Sequence, residues 1–202
     1  MSRLYREAHR ALQREYGTEK LADRIEERLS RRELTDDDCA FIQRLDMFFL
    51  ATVDDRGQPS CSYKGGDRGV LRVLDRTTLA FPNYDGNGMF LSAGNIYATG
   101  QVGLLLIDFA NPKRLRISGT AKLQPADFVS PAWPEAQFTI VVAIKEIFPN
   151  CPRYVHKQAE LEQSRFVPRA GVETPVPAWK QMDWARDVLP PDDPAASATR
   201  KT

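Results

Sequence analysis

The sequence predicts a mainly β, antiparallel fold, a barrel or a sandwich, with helices in front of it. Between residues 47 and about 147, short strand-like segments follow one another at regular spacing. Turn sequences separate them, and a helical pattern interrupts them only at about Met89–Ala98. Strands and helices therefore do not alternate, which disfavours a Rossmann sheet.

The first 45 residues have a helical pattern. Apolar residues recur there at spacings of three and four: Leu4, Ala8, Ala11 and Leu12 in one run, and Leu21, Ile25 and Leu29 in the next. Gly17 and Thr18 separate the two runs. Thr35, followed by three aspartates, is typical of a helix N-cap, so we expect a short helix through Leu45.

Seven segments have strand character. They are Met47–Val53, Ser60–Lys64, Val70–Leu74, Thr78–Phe81, Val102–Phe109, Arg114–Ala121 and Phe138–Ile147. Asp54–Gly57 and Asp75–Thr77 form the turns of two predicted hairpins. Val102–Phe109 is an almost unbroken apolar run, which predicts burial on both faces. Arg114–Ala121 alternates between apolar and polar residues, as a strand with one exposed face does.

Length and composition limit the domain organisation. The 202 residues allow one sizeable core and a small appendage. We expect a helical extension over 1–34, a β domain over 35–165 and a largely irregular segment over 166–202, with a short helix after Cys151 and a disordered tail from Pro190.

Charge and cysteine content exclude several functional classes. The net charge of +1 gives no support for a nucleic-acid partner. Three cysteines without a CxxC pair, and two histidines, argue against a disulfide framework and a metal site. The charged N-terminus is unlike a signal peptide, and no apolar run is long enough to span a membrane, so we expect a cytoplasmic protein. Hydrolase and nucleotide triphosphatase motifs are absent.

The segments from Ser62 to Gly66 and from Leu79 to Asn95 are rich in Gly, Pro, Asn and Ser. Such residues let backbone amides approach an anion, although Asp85–Gly88 is equally consistent with a simple tight turn. Lys64 and Arg114 are candidate cations for a phosphate or a reduced flavin, or else ordinary surface charges.

The segment after Asn150 holds a second basic cluster, formed by Arg153, His156 and Lys157. It could bind an anion or be a solvated helix face. Cys151 could be a reactive thiol at a helix start, but no basic partner can be placed beside it.

Several sequence blocks occur in an order that resembles one family. The blocks are FFLATV from residue 48, DDRGQP, SYKGG, TLAFPNYDGNGMFLSAGNI, VGLLLIDF, RLRISGTA and NCPRYVHK. Over about residues 35 to 160 the chain is similar to the pyridoxamine 5′-phosphate oxidase-related flavin-nucleotide-binding proteins. The resemblance implies a six-stranded antiparallel split β-barrel (the FMN-binding split barrel) and a homodimer in which both chains hold one FMN at each interface.

The resemblance also implies the residues that bind FMN. They are Ser62, Tyr63 and Lys64 on one strand, Phe81, Pro82 and Asn83 on another, the loop residues Asn87, Gly88, Met89, Phe90, Ser92 and Asn95, and the two arginines Arg114 and Arg153. The oxidases place a basic pair at the positions of Asn87 to Met89, which this chain lacks. Backbone amides of residues 87–90, with Ser92, Asn95 and Lys64, are therefore expected to meet the phosphate, and we predict no catalytic side chain and no metal ligand.

The C-terminus departs from the family, because it lacks the histidine with which true pyridoxamine phosphate oxidases hold their substrate. We therefore expect a different FMN-dependent oxidoreductase, with a two-electron transfer to or from an unknown small molecule. A non-catalytic flavin carrier or redox sensor, a haem-binding relative, a deazaflavin-binding relative and a β-barrel without a cofactor remain alternatives. The N-terminal helices are expected to wrap the dimer partner.

Overall fold

The computed structural model describes residues 2–151, 155–158, 164–182, 188–189, 193 and 195. Contacts divide the chain into two compact units, Met1–Leu161 and Glu162–Thr202. All strands belong to the first unit. The described part of the second unit contains a 3-10 helix, Ala178–Gln181, and an ion pair of 2.7 Å between Lys180 and Asp193.

One antiparallel sheet of seven strands forms the centre of the first unit. The strands are β1 (Met47–Val53), β2 (Pro59–Gly65), β3 (Arg72–Asp75), β4 (Thr78–Asn83), β5 (Gln101–Asp108), β6 (Lys113–Gln124) and β7 (Phe138–Asn150). Their order across the sheet is β2-β1-β5-β6-β7-β4-β3. The predicted fold class is confirmed, with the seven strands indicated by the sequence pattern, one more than the resemblance implies.

In the part of the chain that the structure describes, four α-helices accompany the sheet. They are α1 (Glu7–Glu15), α2 (Glu19–Leu29), α3 (Asp36–Gln43) and α4 (Leu91–Thr99). The predicted cap of α3 is confirmed, because the Thr35 hydroxyl accepts a hydrogen bond from the amide of Asp38 at 3.2 Å. Burial by itself raises the pKa of Asp38, but hydrogen bonds from Arg31 and Thr35 outweigh it and hold this pKa below its ordinary value. Among the described residues, no helix has the length and apolar character to cross a membrane.

The hydrophobic core lies on one face of the sheet, where α3 and α4 cover it. Its largest fully buried side chains come from α3 and from most of the strands: Phe41, Phe48, Leu50, Leu79, Phe81, Leu106, Leu115, Ile117, Ile140 and Ile147. Strand β6 pairs with β5 on one side and with β7 on the other, with a bulge between Ser118 and Gly119. At Gly119 the backbones approach so closely that a Cβ atom would lie 2.3 Å from the carbonyl oxygen of Ala143.

The opposite face of the sheet, called here the outer face, is only partly covered. On β5, Leu104 and Leu106 are buried in the core, whereas Leu105 and Ile107 point outward and are half-buried. The prediction that Val102–Phe109 is buried on both faces is therefore wrong. Its outward residues lie on an apolar surface that the chain itself does not fully cover, so an unbroken apolar run does not require two covered faces.

The N-terminal segment is fixed to the sheet at β7. Arg31 and Ile147 exchange two backbone hydrogen bonds of 3.0 and 2.7 Å, and the Ser30 hydroxyl donates a hydrogen bond to Glu146. Helices α1 and α2, called here the N-terminal hairpin, precede this attachment. The helix predicted after Cys151 falls largely outside the described residues, and residues 155–158 have no regular structure.

We expect Gly119→Ala to destabilise the fold by about 1–3 kcal/mol, because the new methyl group collides with backbone rather than with a movable side chain. The matched control is Gly103→Ala on β5, where the added Cβ would lie 3.7 Å from Ala51 and make an ordinary contact. Urea unfolding at one fixed protein concentration measures both. Equal midpoints for the two variants would contradict the close approach.

Candidate functional site

A cavity of about 270 Å³ lies between β2, the loop that follows β4, and the start of α4. We call it the loop cavity. Its walls are formed by Ser60, Cys61, Ser62, Lys64, Asn83, Tyr84, Gly86, Asn87, Gly88, Met89, Phe90, Leu91, Ser92 and Ala93. It therefore brings together many of the residues that the sequence implied as cofactor ligands, from two separate parts of the chain.

Lys64 is the cation of this cavity. Side chains alternate along β2, so Ser62 and Lys64 point toward the cavity and are half-buried, while Cys61 and Tyr63 are exposed. Burial lowers the pKa of Lys64 below its ordinary value. Within the described residues, no carboxylate forms an ion pair with it. A cation withdrawn from water without a counter-charge favours an anion as its ligand.

The first turn of α4 forms another wall. The first amides of a helix have no partner within it and carry partial positive charge. In α4 no side chain caps these amides, and the first turn contains no acidic residue. Leu91, Ser92 and Ala93 of this turn all line the cavity. The hydroxyl of Ser92 lies 3.1 Å from the hydroxyl of Ser62, which joins α4 to β2 at the cavity wall.

The loop before α4 holds its own shape through Asn87. The Asn87 side-chain oxygen accepts a hydrogen bond of 3.1 Å from the amide of Met89, and Gly88 between them has a φ of +76°. The segment therefore forms the tight turn, and this turn also lines the cavity; anion binding by its amides stays a prediction. The Met89 amide is already engaged, which leaves fewer loop amides for an anion than the sequence suggested.

Several residues implied by the sequence lie outside the loop cavity. Phe81 and Pro82 are buried, and the Phe81 ring packs edge-on against Phe48 with 5.0 Å between ring centroids. Tyr63 is exposed on the outer face beside Phe49. The Asn95 amide donates a hydrogen bond of 3.0 Å to Thr52, so its side chain is already partnered.

Arg114 also lies away from the loop cavity. It is the second residue of β6, on the outer face, and pairs with Asn150 of β7. The Nε atom of Arg114 and the Oδ1 atom of Asn150 are both buried, and neither has a hydrogen-bond partner in the part of the chain that the structure describes. A buried donor and a buried acceptor thus lie on neighbouring strands at paired positions. Arg153 lies outside the described residues, and His156 and Lys157 are exposed.

A larger groove of about 700 Å³ lies on the outer face. Its lining combines the start of the chain with five strands: Leu4, Tyr5, His9, Phe49, Ala51, Cys61, Gly103, Leu104, Leu105, Arg116, Ile117, Ser118, Glu146 and Phe148. Sequence reasoning missed this groove and the contribution of Tyr84 to the loop cavity. The unbroken apolar run of β5 was the local signal for this groove, because it places Leu105 on the outer face, but the position of residues 4–9 over the sheet is a tertiary feature.

Comparisons with known proteins place this geometry in context. The family model described as pyridoxamine 5′-phosphate oxidase matches residues 34–150. Among solved structures, HupZ of Group A Streptococcus is similar at 19% identity, covering 57% of this chain and 93% of its own, with a TM-score of 0.47. An FMN-binding protein from Syntrophomonas wolfei is similar at 15% identity, with coverages of 69% and 97% and a TM-score of 0.42.

A third similar structure is HutZ, the heme storage protein of Vibrio cholerae. It is 17% identical, the match covers 58% of this chain and 94% of HutZ, and the TM-score is 0.41. No curated protein matches the chain.

The half-burial of Lys64 predicts that the midpoint of its titration is shifted. Amine acylation followed by mass spectrometry at increasing pH should give Lys64 a midpoint below the ordinary value of 10.5. Inorganic phosphate should move this midpoint upward, because an anion stabilises the charged amine. Exposed Lys20 is the internal reference. A Lys64 midpoint that phosphate leaves unchanged would argue against an anion site here.

Proposed function

Because the chain belongs to the pyridoxamine 5′-phosphate oxidase family, whose model matches more than half of it, we propose that it binds FMN and acts as an oxidoreductase. The observation that carries the proposal is the pairing of Lys64, which has no carboxylate partner among the described residues, with the uncapped first turn of α4 in one cavity. Both features favour a phosphate group, and each comes from a different part of the chain.

The residues present fit the phosphate ester of FMN without the family's basic pair. Lys64 supplies a full positive charge, and the α4 amides supply partial positive charge. Ser62 and Ser92 add hydroxyl groups that can donate hydrogen bonds to phosphate oxygens. Half-burial of Lys64 strengthens its attraction to an anion, because less water screens the charge. One partly desolvated cation and a helix end thus take the place of the basic pair of the oxidases.

The size of the loop cavity supports a homodimer. About 270 Å³ is slightly below the roughly 300–1,000 Å³ of typical small-molecule sites. We propose that a second chain covers the part of FMN that extends beyond this cavity. Arg114 is the residue proposed to arrive from that second chain. It lies outside the loop cavity of its own chain, and its Nε atom has no partner among the described residues.

When bound, FMN supplies two-electron transfer between small molecules. The chain's own groups bind and orient the cofactor and limit its access to water. A guanidinium such as that of Arg114 favours negative charge on a reduced flavin, and Asn150 beside it can accept a hydrogen bond.

An absorption spectrum of the purified protein, taken before and after incubation with FMN and desalting, is the first test. Retained flavin bands support the proposal. A Soret band would favour the haem-binding alternative, and a colourless protein that does not retain FMN would overturn it. Turnover of a nicotinamide donor with an electron acceptor would then distinguish an oxidoreductase from a flavin carrier.

Lys64→Ala should weaken FMN binding by about 1–3 kcal/mol, the range expected for a lost charge-assisted hydrogen bond. Riboflavin lacks the phosphate, so its affinity should change little. Fluorescence quenching titrations of both ligands measure this, with Lys122→Ala, an exposed lysine on β6, as the matched control. Equal losses for FMN and riboflavin would place the phosphate elsewhere.

Mixing two variants tests whether both chains form each site. In a heterodimer of Lys64→Ala and Arg114→Ala chains, one site carries both substitutions and the other carries neither. We therefore expect the mixture to regain tight FMN binding at up to one site per heterodimer, although each variant alone binds weakly. Equilibrium dialysis after co-refolding measures the stoichiometry. If Lys64 and Arg114 of the same chain formed a site, no intact site would be regained.

A further inference from the structure

We infer that the N-terminal hairpin packs through its exposed apolar side chains against a second copy of the chain. This inference rests on the proposed homodimer, and it assigns a function to the segment that lies outside the matched family region of residues 34–150.

The two helices of the hairpin meet through polar groups. Arg10 and Asp23 form an ion pair of 2.6 Å between α1 and α2, and Arg14 lies 3.8 Å from Glu19. The hydroxyl of Tyr5 donates a hydrogen bond of 3.1 Å to the carbonyl oxygen of Ala22. Amphipathic helices normally bury their apolar sides against their neighbours. Here the polar sides meet instead.

The apolar side chains of the hairpin consequently remain exposed. Leu12 is 58% exposed, Tyr16 is 73% exposed and Leu21 is 59% exposed. Neither α1 nor α2 contains a buried residue. Leu12 belongs to α1 and Tyr16 is the C-cap of that helix, so the two residues, four apart, lie on the same side of the hairpin. Such a grouping on a hairpin with a polar interior indicates a surface that another molecule covers.

The hairpin is held in a fixed place beside the sheet. Besides the two backbone hydrogen bonds of Arg31, the Ser2 hydroxyl and the Arg3 amide each donate a hydrogen bond of 2.6 Å to Glu26 of α2. Arg3 also lies 3.5 Å from Glu146 of β7. The exposed apolar groups thus belong to a segment that hydrogen bonds and an ion pair hold in place, not to a free chain end.

The start of α1 also reaches the outer-face groove. Tyr5 and His9 line the outer-face groove together with Phe49, Leu105 and Phe148. A molecule that fills the groove therefore meets the start of the hairpin as well.

A second copy is the occupant that these observations favour. Arg114, proposed to complete the site of the other chain, lies on the outer face. The second chain must therefore approach this face, beside which the hairpin is fixed. In a two-fold dimer each hairpin meets the other copy, so every apolar side chain contributes twice.

The test compares two triple variants of the full chain. Leu12→Ser/Tyr16→Ser/Leu21→Ser removes exposed apolar groups, and Glu15→Ser/Lys20→Ser/Arg28→Ser is the control at exposed polar positions of the same helices. Sedimentation velocity should show a dimer dissociation constant at least about a hundredfold higher for the first variant than for the wild type. The dissociation constant of the control should change little. Circular dichroism and thermal unfolding of both check that the substituted chains fold.

A photo-crosslinker gives a direct readout. Benzoylphenylalanine in place of Tyr16 should crosslink to another copy, whereas the same group in place of Arg24, on the charged part of α2, should not. Mixing ¹⁵N-labelled and unlabelled chains distinguishes crosslinks between chains from those within one chain.

The outcomes separate this inference from the proposed function. A wild-type dimer that retains FMN, a dissociating apolar variant and an interchain crosslink at position 16 support both. An FMN-binding dimer whose association and crosslinking do not depend on the hairpin overturns only the inference. A wild-type chain that binds FMN as a monomer overturns both the inference and the shared site. Crosslinking only to unrelated proteins assigns the hairpin to another partner and also overturns the inference.

Discussion

The two-residue alternation of side chains along the strands is the constraint on which this structure depends. It turns Ser62 and Lys64 toward α4 and the neighbouring residues of β2 toward the outer face. On β6 the same alternation directs Leu115 and Ile117 into the core and Arg114 outward. A register shift of one residue would exchange the two sets, removing the cation from the loop cavity and placing charge in the core.

The uncompensated positive charge at the candidate site is unfavourable in the absence of a ligand, and the remainder of the fold must offset its cost in stability. Lys64 is desolvated without a counter-charge among the described residues, and the first turn of α4 has no acidic side chain. Each arrangement costs stability in the absence of a ligand and favours an anion when one is present. The core tolerates this cost because its large side chains, such as Phe41 and Phe48, are fully buried and lie apart from the polar cavity.

Local patterns predicted much of the fold. The bounds of β1 and the cap at Thr35 agree with the structure, because alternation and capping act between residues close in sequence. The candidate site was predicted less completely. The family pattern located Lys64 and the loop around Asn87 but did not show that Phe81 is buried, since the direction of a side chain depends on strand register. The outer-face groove depends on where residues 4–9 cross the sheet, which no local pattern encodes.

Cys61 lines both the loop cavity and the outer-face groove, so a single strand, β2, forms a wall between them. Strand β2 lies at the end of the sheet and pairs only with β1, so half of its backbone hydrogen-bonding groups have no strand neighbour. A displacement of this strand changes both surfaces together. If the cofactor and the partner both favour the same position of β2, each binds more tightly when the other is bound, and this coupling is reciprocal. Under the proposed homodimer, cofactor occupancy would then rise with the total concentration of the protein itself.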